Sequence, residues 1–421
     1  MNYFLRTVPE VSGEGLSTTK KLQATVNNTG NYFFEHALSR QVKDCVEISK
    51  LSDLPLGSER LILSMSNFLS PATDLGWFAD EIEARAPKQI VMVGAGAQAA
   101  GFSDSIELKP GTRRFVDLLA DRGITIGVRG QYTASVLADI GIHNVDVIGC
   151  PSLFYHCDRG FQIAKKDLGG KKPKAVVHCT PSGHYRDAVS HLLSFAVREC
   201  VSYVAQSEAH LIFEDVEMED RRKYFFNYYN DGTYSSDQLH DWMRRNIKWF
   251  FDLKTWFAYM SSVDIAIGSR FHGNMAALQV GVPALNLVFD TRTRELCEHL
   301  NLPYEFLKTF DGKRSAQEIY DQLDYSLFNA TFPGKFDVYS EFLSRNGVPS
   351  RLERGELPSE ETQSGRVRLA TVVDLLNSCS TAAVSSERVV REVMLRIEQD
   401  RGAYLRKMAE GGKFDLRNEN A

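Results

Sequence analysis

The stretch DIAIGSRFHGNMAALQVGVPALNLVFDTR, residues 264–292, contains two apolar runs separated by a segment of small residues. The first run is followed by Arg270 and His272, and the second is followed by Arg292. Apolar strands that alternate with helices are typical of parallel α/β structure, in which the carboxyl ends of neighbouring strands share one edge of a sheet. The stretch therefore predicts a strand, a short buried helix and a second strand whose ends bring these three side chains together.

The composition is that of a folded globular protein. Of the 421 residues, 43% are hydrophobic and 24% are charged, close to ordinary globular usage. The net charge of −5 and the scattered Lys and Arg residues argue against a general nucleic-acid-binding surface. No apolar run approaches the roughly 18 residues of a membrane span, and the start lacks a secretory apolar core, so we expect a cytoplasmic protein. The seven cysteines include no CxxC pair, which favours reduced thiols over structural zinc.

Strand-like and helix-like segments alternate along most of the chain. The alternation predicts an α/β fold with two Rossmann-like domains facing a cleft, a GT-B-like arrangement, and a helical C-terminal tail. In the first half the strand candidates are KLQATV, ERLILSM, QIVMVGAG, ITIGVR and VDVIGC. In the second half they are KAVVHCT, HLIFEDV, DIAIG and ALNLVF, and residues 237–261 are predicted to be helical.

The domain boundaries follow from where this alternation stops. A segment rich in Gly, Lys and Pro interrupts it after Pro151. We predict an N-terminal Rossmann-like domain over residues 1–155, a linker over 156–172, a C-terminal Rossmann-like domain over 173–310 and a mostly helical extension over 311–421. Within the extension, 352–368 is predicted to be a flexible segment and 369–408 to be helical. The extension is expected to serve packing or an oligomer contact rather than chemistry.

The segment after DIAIG has the properties of an anion site. Gly273 allows the backbone to approach a ligand, and Asn274 lies at the start of the short helix. The free N–H groups of a helix N-terminus favour a bound anion. Arg270, His272 and Arg292 add positive or switchable charge. We therefore expect a small phosphorylated or carboxylated ligand.

Ordered motifs across the chain resemble the polysaccharide pyruvyl transferase family. The stretch SSVDIAIGSRFHGNMAALQVGVPALNLVFDTRTRELCEHLNLP resembles its R-x-H-G strand end, G-V-P turn and cation after an F-D step. Upstream, IVMVGAGAQ resembles its G-x-G-x-Q strand end. Its V-R-(D)-x-x-S segment, which ends in D-P-S, is similar to GVRGQYTASVLADIGIHNVDVIGCPSLF, and its N-x-G-D element with the following helix is similar to NNTGNYFFEHAL. The resemblance covers residues from about 22 to about 306.

Three positions depart from the family's usual pattern. Asn31 and Gly130 stand where the family usually has aspartate, and Arg292 stands where lysine is common. The last change keeps the charge. The first two bear on the acceptor sugar rather than on the class of reaction.

The resemblance implies a transferase of polysaccharide biosynthesis that moves a pyruvyl group from phosphoenolpyruvate to saccharide hydroxyls, leaving a pyruvate ketal and releasing phosphate. Guanidinium groups bind carboxylate and phosphate in bidentate fashion, which suits this donor. The expected donor-binding residues are Arg129, Arg270, His272, Gly273, Asn274 and Arg292. His272 is the expected general acid, with Arg129 as the second catalytic residue. No metal or cofactor is expected.

Neutral side chains at strand ends of the first half suit sugar hydroxyls. The expected acceptor-binding residues are Asn28, Asn31, Asn67 and Gln98. A base must also take a proton from the hydroxyl, and the candidates are Glu214, Asp215 and the released phosphate.

Two alternatives stay open. A GT-B nucleotide-sugar glycosyltransferase shares the architecture, and it is expected to have an acidic residue for the base and ribose after a late strand of the second half. The stretch directly after DIAIGSRFHG, residues 274–294, contains no glutamate. A non-catalytic glycan-binding relative is the other alternative. The presence of all four expected site residues argues against it, namely Arg129, Arg270, His272 and Arg292. The expected partners are phosphoenolpyruvate and a saccharide, without nucleic acid. The acceptor sugar, its lipid linkage, peripheral membrane association and homo-oligomerisation are left open.

Overall fold

Parallel sheets organise the chain, which the computed structural model describes over residues 1–8, 21, 24–25, 28–99, 102, 106–123, 125–207 and 225–352. The strands of the N-terminal half are β1 (Asn2–Leu5), β2 (Cys45–Ile48), β3 (Arg60–Leu63), β4 (Gln89–Met92), β5 (Ile126–Val128) and β6 (Val145–Val147). Strands β2, β1, β3 and β4 form one sheet in that order, and β5 pairs with β6. The N–H of Ala95 donates to Gly127 and the N–H of Arg129 donates to Ala95, which places β5 beside the continuation of β4.

A six-stranded sheet forms the C-terminal half. Its strands are β7 (Ala175–His178), β8 (Ser202–Ala205), β9 (Ile247–Trp249), β10 (Ile265–Gly268), β11 (Ala284–Val288) and β12 (Tyr304–Phe306). Their order is β12-β11-β10-β7-β8-β9. All pairings among the described strands are parallel. Strands β7, β10 and β11 are buried at every position, as expected for strands covered on both faces. The predicted α/β fold with parallel sheets is confirmed.

Helices connect the strands and cover the sheets. They are α1 (Gly30–Gln41), α2 (Gly76–Arg85), α3 (Pro110–Arg122), α4 (Gln131–Asp139), α5 (Arg186–Arg198), α6 (Ser236–Asn246), α7 (Leu253–Met260), α8 (Phe271–Leu278), α9 (Thr291–Leu300), α10 (Ala316–Gln322) and α11 (Ser326–Arg345). Helix α8 is the predicted short buried helix, and its small residues Ala276 and Ala277 are fully buried. Helix α9 begins at a capping box in which Asp290 accepts from the N–H of Thr293. No helix in the described part of the chain has the length and apolar character to cross a membrane.

Some predicted elements are corrected by the structure. The predicted helical stretch 237–261 is divided into α6 and α7, with β9 between them. The division has a local cause, because Asp252 caps α7 by accepting from the N–H of Thr255 at 2.7 Å, and β9 pairs with β8 as the edge strand of the sheet. The described residues of KLQATV lie in a helix and a turn, not in a strand. The predicted strand HLIFEDV lies outside the described residues.

The described part of the C-terminal extension returns to the N-terminal half. The Tyr339 hydroxyl in α11 donates to Gln41 at the end of α1, at 2.6 Å. The residues that follow α11 also contact the end of α1. The carbonyl of Pro349 accepts the N–H of Lys43, and the N–H of Arg351 donates to the carbonyl of Gln41. The Tyr325 hydroxyl donates to the carbonyl of Ala284 in β11 at 2.7 Å, so residues 311–352 contact both halves. The predicted helix over 369–408 and nearly all of the predicted flexible segment lie outside the described residues, and the domain boundaries stay predictions.

Candidate active site

A cavity lies where carboxyl ends of strands from the two halves meet. Arg129 directly follows β5, Gln206 directly follows β8, and Ser269 and Arg270 directly follow β10. The cavity is lined by Asn28, Asn31, Ser66, Arg129, Thr180, Gln206, Ser269, Arg270, Phe271, His272, Arg292 and Leu296. The structure thus brings the three predicted arginines and the predicted histidine to one hollow.

Arg129 is a buried cation with an unused donor. Its side chain is only 1% exposed, and its Nε–H donates to the carbonyl of Gly94 at 2.8 Å. The guanidinium carbon lies 5.5 Å from the centre of the Phe34 ring. Burial lowers the pKa of Arg129, and the nearby Arg292 lowers it as well. The buried Nη2 has no hydrogen-bond partner among the described residues. A bound anion would satisfy both the charge and the donor.

The other two arginines approach the cavity from the C-terminal half. Arg292 lies in the first turn of α9, and its buried Nε also lacks a partner within the described ranges. Its Nη2 lies 3.6 Å from Oδ2 of Asp290, which is an ion-pair distance rather than a hydrogen bond. Arg270 is held more tightly, because its Nε–H donates to the carbonyl of Cys179 at 2.9 Å and its Nη2 donates to the hydroxyl of Ser207.

His272 lies among aromatic rings and arginines. Its imidazole stacks on Phe34, and its Nε2 lies 4.0 Å from Sγ of Cys150. Burial lowers the pKa of His272 well below its usual value, and the charges of Arg129 and Arg292 lower it further. Without a ligand the imidazole is therefore neutral at physiological pH.

Gln206 is a cavity residue that the sequence analysis missed. The side chain is 1% exposed, and its Nε2 has no hydrogen-bond partner in the described part of the chain. It lies against the N-terminal half, because a Cβ added at Gly30 would come within 2.5 Å of its Oε1. The position directly after a strand is the signal that could have identified it. Strand β8 was not predicted, so that signal was lost.

Glu295 was also missed and lies between the two halves. Its carboxylate accepts the backbone N–H of Thr133 at 2.8 Å and the Thr133 hydroxyl at 2.6 Å. Burial raises the pKa of Glu295 to about 7, although Thr133, Arg129 and Arg292 act in the opposite direction. The spacing of three residues from Arg292 on one helix placed it on the same face, which was the available signal.

Two donor-binding predictions need correction. Asn274 does not line the cavity, because its side chain is 1% exposed and bonded inside the core. Its Oδ1 pairs with Nε2 of His178 at 3.0 Å, and its Nδ2 donates to Asn286 and to the carbonyl of Gly268. A Cβ at Gly273 would lie 2.7 Å from the same His178 nitrogen. The glycine thus allows α8 to pack against His178, a role that the sequence analysis did not assign to it.

The predicted acceptor residues separate into two groups. Asn28 and Asn31 line the cavity. Asn67 and Gln98 do not, because they are engaged with each other, Nδ2 of Asn67 donating to Oε1 of Gln98 at 3.2 Å. Gln98 in turn donates to Asp290 at 3.3 Å. Asn67 and Gln98 therefore do not line the cavity, and Gln98 connects the two halves beside it.

A larger hollow lies elsewhere and lacks these features. It measures about 440 Å³ and is lined in part by Lys165, whose Nζ already donates to the carbonyls of Tyr320 and Asp321. Within the described ranges, no cluster of three His, Cys, Asp or Glu side chains could hold a metal ion. The expectation of a reaction without metal or cofactor stays a prediction, and the predicted bases Glu214 and Asp215 lie outside the described residues.

Solved structures show weak similarity to the chain. Accessory secretory protein from Streptococcus pneumoniae matches at 12% identity and a TM-score of 0.36, over 75% of this chain and 55% of its own. The chain thus spans about half the length of that relative. UDP-GlcNAc 2-epimerase from Neisseria meningitidis matches at 11% identity and 0.37, over 82% and 99% of the two chains. Trehalose 6-phosphate synthase from Burkholderia multivorans matches at 12% identity and 0.35, over 87% and 77%.

The sequence itself gives a stronger result. No curated protein matches it. The profile of one family, described as polysaccharide pyruvyl transferase, matches residues 28–291. That range holds Arg129, Arg270 and His272 and ends one residue before Arg292. Because the match spans more than half of the chain, the protein is a transferase that belongs to the polysaccharide pyruvyl transferase family.

Proposed function

We propose that the protein transfers a pyruvyl group from phosphoenolpyruvate to two hydroxyls of a saccharide, forming a pyruvate ketal and releasing phosphate. The observation that carries the proposal is the convergence of Arg129, Arg270, His272 and Arg292 on one cavity. Donors on Arg129 and Arg292 are buried there without partners among the described residues. Such donors suit a compact ligand whose carboxylate and phosphate lie close together.

The arginines and Gln206 bind and orient the donor. Arg270 is already fixed by Cys179 and Ser207, so it presents a rigid cation at the edge of the sheet. Gln206 donates its unpartnered amide N–H to an oxygen of the donor. The helix α8 begins at the same place, and its first N–H groups favour an anion. The positive charge thus comes from the chain itself, and the proposed reaction uses no metal or cofactor.

Donor binding sets the protonation of His272. In the empty cavity, burial and the two arginines Arg129 and Arg292 keep the imidazole neutral by lowering its pKa. An anion placed between those arginines offsets their charge and favours the imidazolium. His272 then holds the proton that the methylene carbon of the donor receives.

The bonds change in two stages. The π electrons of the donor take the proton from His272, and the first saccharide hydroxyl forms a C–O bond to the central carbon. The bond from that carbon to the phosphate oxygen then breaks, and the second hydroxyl closes the ketal. Of the two protons that the hydroxyls lose, one returns to His272 and the other leaves with the phosphate. Asn28 and Asn31, which line the cavity from the N-terminal half, are proposed to contact the saccharide.

The test is a transfer assay with the full chain. Phosphoenolpyruvate and a panel of saccharides are supplied, while phosphate release and pyruvate on the saccharide are measured. We expect both products, and we expect His272→Gln to lower the rate by about 100-fold or more because the general acid is lost. His184→Gln is the control, since His184 is exposed. A His272→Gln variant as fast as the unmodified protein, or transfer only from nucleotide sugars, would refute the proposal.

A further inference from the structure

We infer that Glu295 is a positioning residue that ties the loop bearing Arg129 to the helix bearing Arg292, and so sets the separation at which these arginines bind one anion. The inference deepens the proposed function, on which it rests for the identity of that anion. Glu295 does not line the cavity and acts only through the two arginines.

The contact replaces an ordinary helix cap. Helix α4 begins after Gly130, which has no side chain to accept the free N–H groups of the first turn. The N–H of Thr133, the third residue of α4, is the one that a capping side chain usually accepts. Here it donates to Glu295 at 2.8 Å, and the Thr133 hydroxyl donates to the other carboxylate oxygen at 2.6 Å. A carboxylate of the C-terminal half thus caps a helix of the N-terminal half.

Each end of this contact is next to a cavity arginine. Arg129 immediately precedes Gly130, so the capped turn of α4 holds the loop from which the Arg129 side chain extends. Arg292 lies three residues before Glu295, which is about one turn of α9. Movement of one half relative to the other would have to break both hydrogen bonds before it separated the two arginines.

The fit at the contact is close. A Cβ added at Gly130 would lie 2.7 Å from Cβ of Glu295, so the glycine lets the two halves meet. This accounts for one departure from the usual family pattern, in which aspartate follows the arginine. An aspartate at position 130 would cap α4 within its own loop, whereas here the capping carboxylate comes from the opposite half.

The other polar contacts nearby between the halves are longer. The N–H of Ala99 donates to the hydroxyl of Thr291 at 3.4 Å, and Gln98 donates to Asp290 at 3.3 Å. Glu295 is 3% exposed, so water competes little for its carboxylate. The bonds to Thr133 are therefore the strongest of these polar contacts between α9 and the N-terminal half.

The experiment separates the effect of Glu295 on the stability of α4 from its effect on the positions of the arginines. It does so by moving the capping carboxylate from position 295 to position 130. Calorimetry measures the affinity of the full chain for phosphoenolpyruvate and for inorganic phosphate, and thermal unfolding measures stability. In Glu295→Ala we expect the Kd for both anions to rise by about tenfold or more. In the double variant Gly130→Asp with Glu295→Gly, residue 295 no longer has the Cβ that a side chain at 130 would meet at 2.7 Å. The aspartate then caps α4 again, and the unfolding temperature rises above that of Glu295→Gly alone, but the anion affinity stays weak. Recovery of the affinity together with the stability would overturn the inference.

A neighbouring carboxylate on α9 provides the control. Glu298→Ala removes an exposed carboxylate one turn further along α9, which pairs with Arg294, and should leave both Kd values unchanged. If Glu295→Ala does not fold, Glu295→Gln and Thr133→Val, alone and combined, take its place. Non-additive losses of anion affinity are then expected, and unchanged affinity overturns the inference.

Inorganic phosphate separates the two proposals, because an effect on phosphate affinity supports positioning even if phosphoenolpyruvate is not turned over. An unmodified protein that binds neither anion contradicts both.

Discussion

The imidazole of His272 stacks on the phenyl ring of Phe34, with ring centres 5.7 Å apart and planes inclined at 26°. The same ring lies 5.5 Å from the guanidinium carbon of Arg129. Phe34 comes from α1 in the N-terminal half and His272 from α8 in the C-terminal half. One buried ring therefore packs against both the proposed acid and the guanidinium group of Arg129, and it shields one side of each from water.

Replacing Phe34 should slow catalysis beyond its effect on stability. Phe34→Leu removes a stacking contact worth about 0.5–1.5 kcal/mol, so we expect a loss of about 3- to 10-fold in kcat, measured by phosphate release. Phe78→Leu is the matched control, because Phe78 is equally buried and packs on Phe115 away from the cavity. Equal losses of kcat in both variants would show that Phe34 acts only through stability.

Donor binding should take up protons. The lowered pKa of His272 makes the imidazole neutral in the empty site, and the bound anion raises that pKa, so a proton is gained on binding at pH values near 7. Calorimetric titration with phosphoenolpyruvate in buffers of different ionisation enthalpy measures this uptake. We expect the uptake to fall in His272→Gln. Proton release on binding, or the same uptake in the variant, would contradict the proposed role of His272.

The unpartnered amide of Gln206 should contribute to donor affinity. Gln206→Leu keeps the volume of the side chain but removes a donor to a charged group, a bond worth about 1.5–3 kcal/mol, so Kd for phosphoenolpyruvate should rise by about 10- to 100-fold. Gln322→Leu, on an exposed position, is the control and should bind as the unmodified protein does. An unchanged Kd in Gln206→Leu would exclude the amide from donor binding.

Glu295 should make stability depend on pH. Burial raises its pKa in the folded protein to about 7 from the ordinary value of 4.5. Because the folded pKa is the higher one, its contribution to stability is fully present below about pH 4.5 and is lost as pH rises through about 7. Glu295→Gln has no such titration. Denaturant unfolding at pH 5 and pH 8 should therefore show a larger fall in stability for the unmodified protein than for the variant, and equal falls would contradict the raised pKa.

The sequence predicted the parts of the site that depend on local order. Arg270, His272 and Arg292 each follow a strand of one parallel sheet within a few residues, so their convergence needed no knowledge of distant contacts. Arg129 follows a strand of the other half, and only the family resemblance joined it to them. Asn274 occupies the same kind of position, but its amide is used by His178 and Asn286, which only tertiary packing decides.

The parts that the sequence did not predict depend on how the two halves meet. Glu295 looks like an ordinary helix residue until Thr133, 162 residues earlier, lies beside it. Gln206 follows β8, a four-residue strand that the sequence analysis did not predict. Strand β9 has only three residues and takes its conformation from pairing with β8. Short strands of this kind carry too little periodicity to be distinguished from helix ends.

The central claim is that guanidinium groups from both halves bind a single phosphoenolpyruvate beside His272. A crystal structure of the full chain with phosphoenolpyruvate tests it most directly. The account predicts one molecule in the cavity, its carboxylate and phosphate oxygens within hydrogen-bond distance of Arg129 and Arg292 and its methylene carbon facing the imidazole. A molecule bound away from these arginines, or an empty cavity at a saturating concentration, would contradict the account.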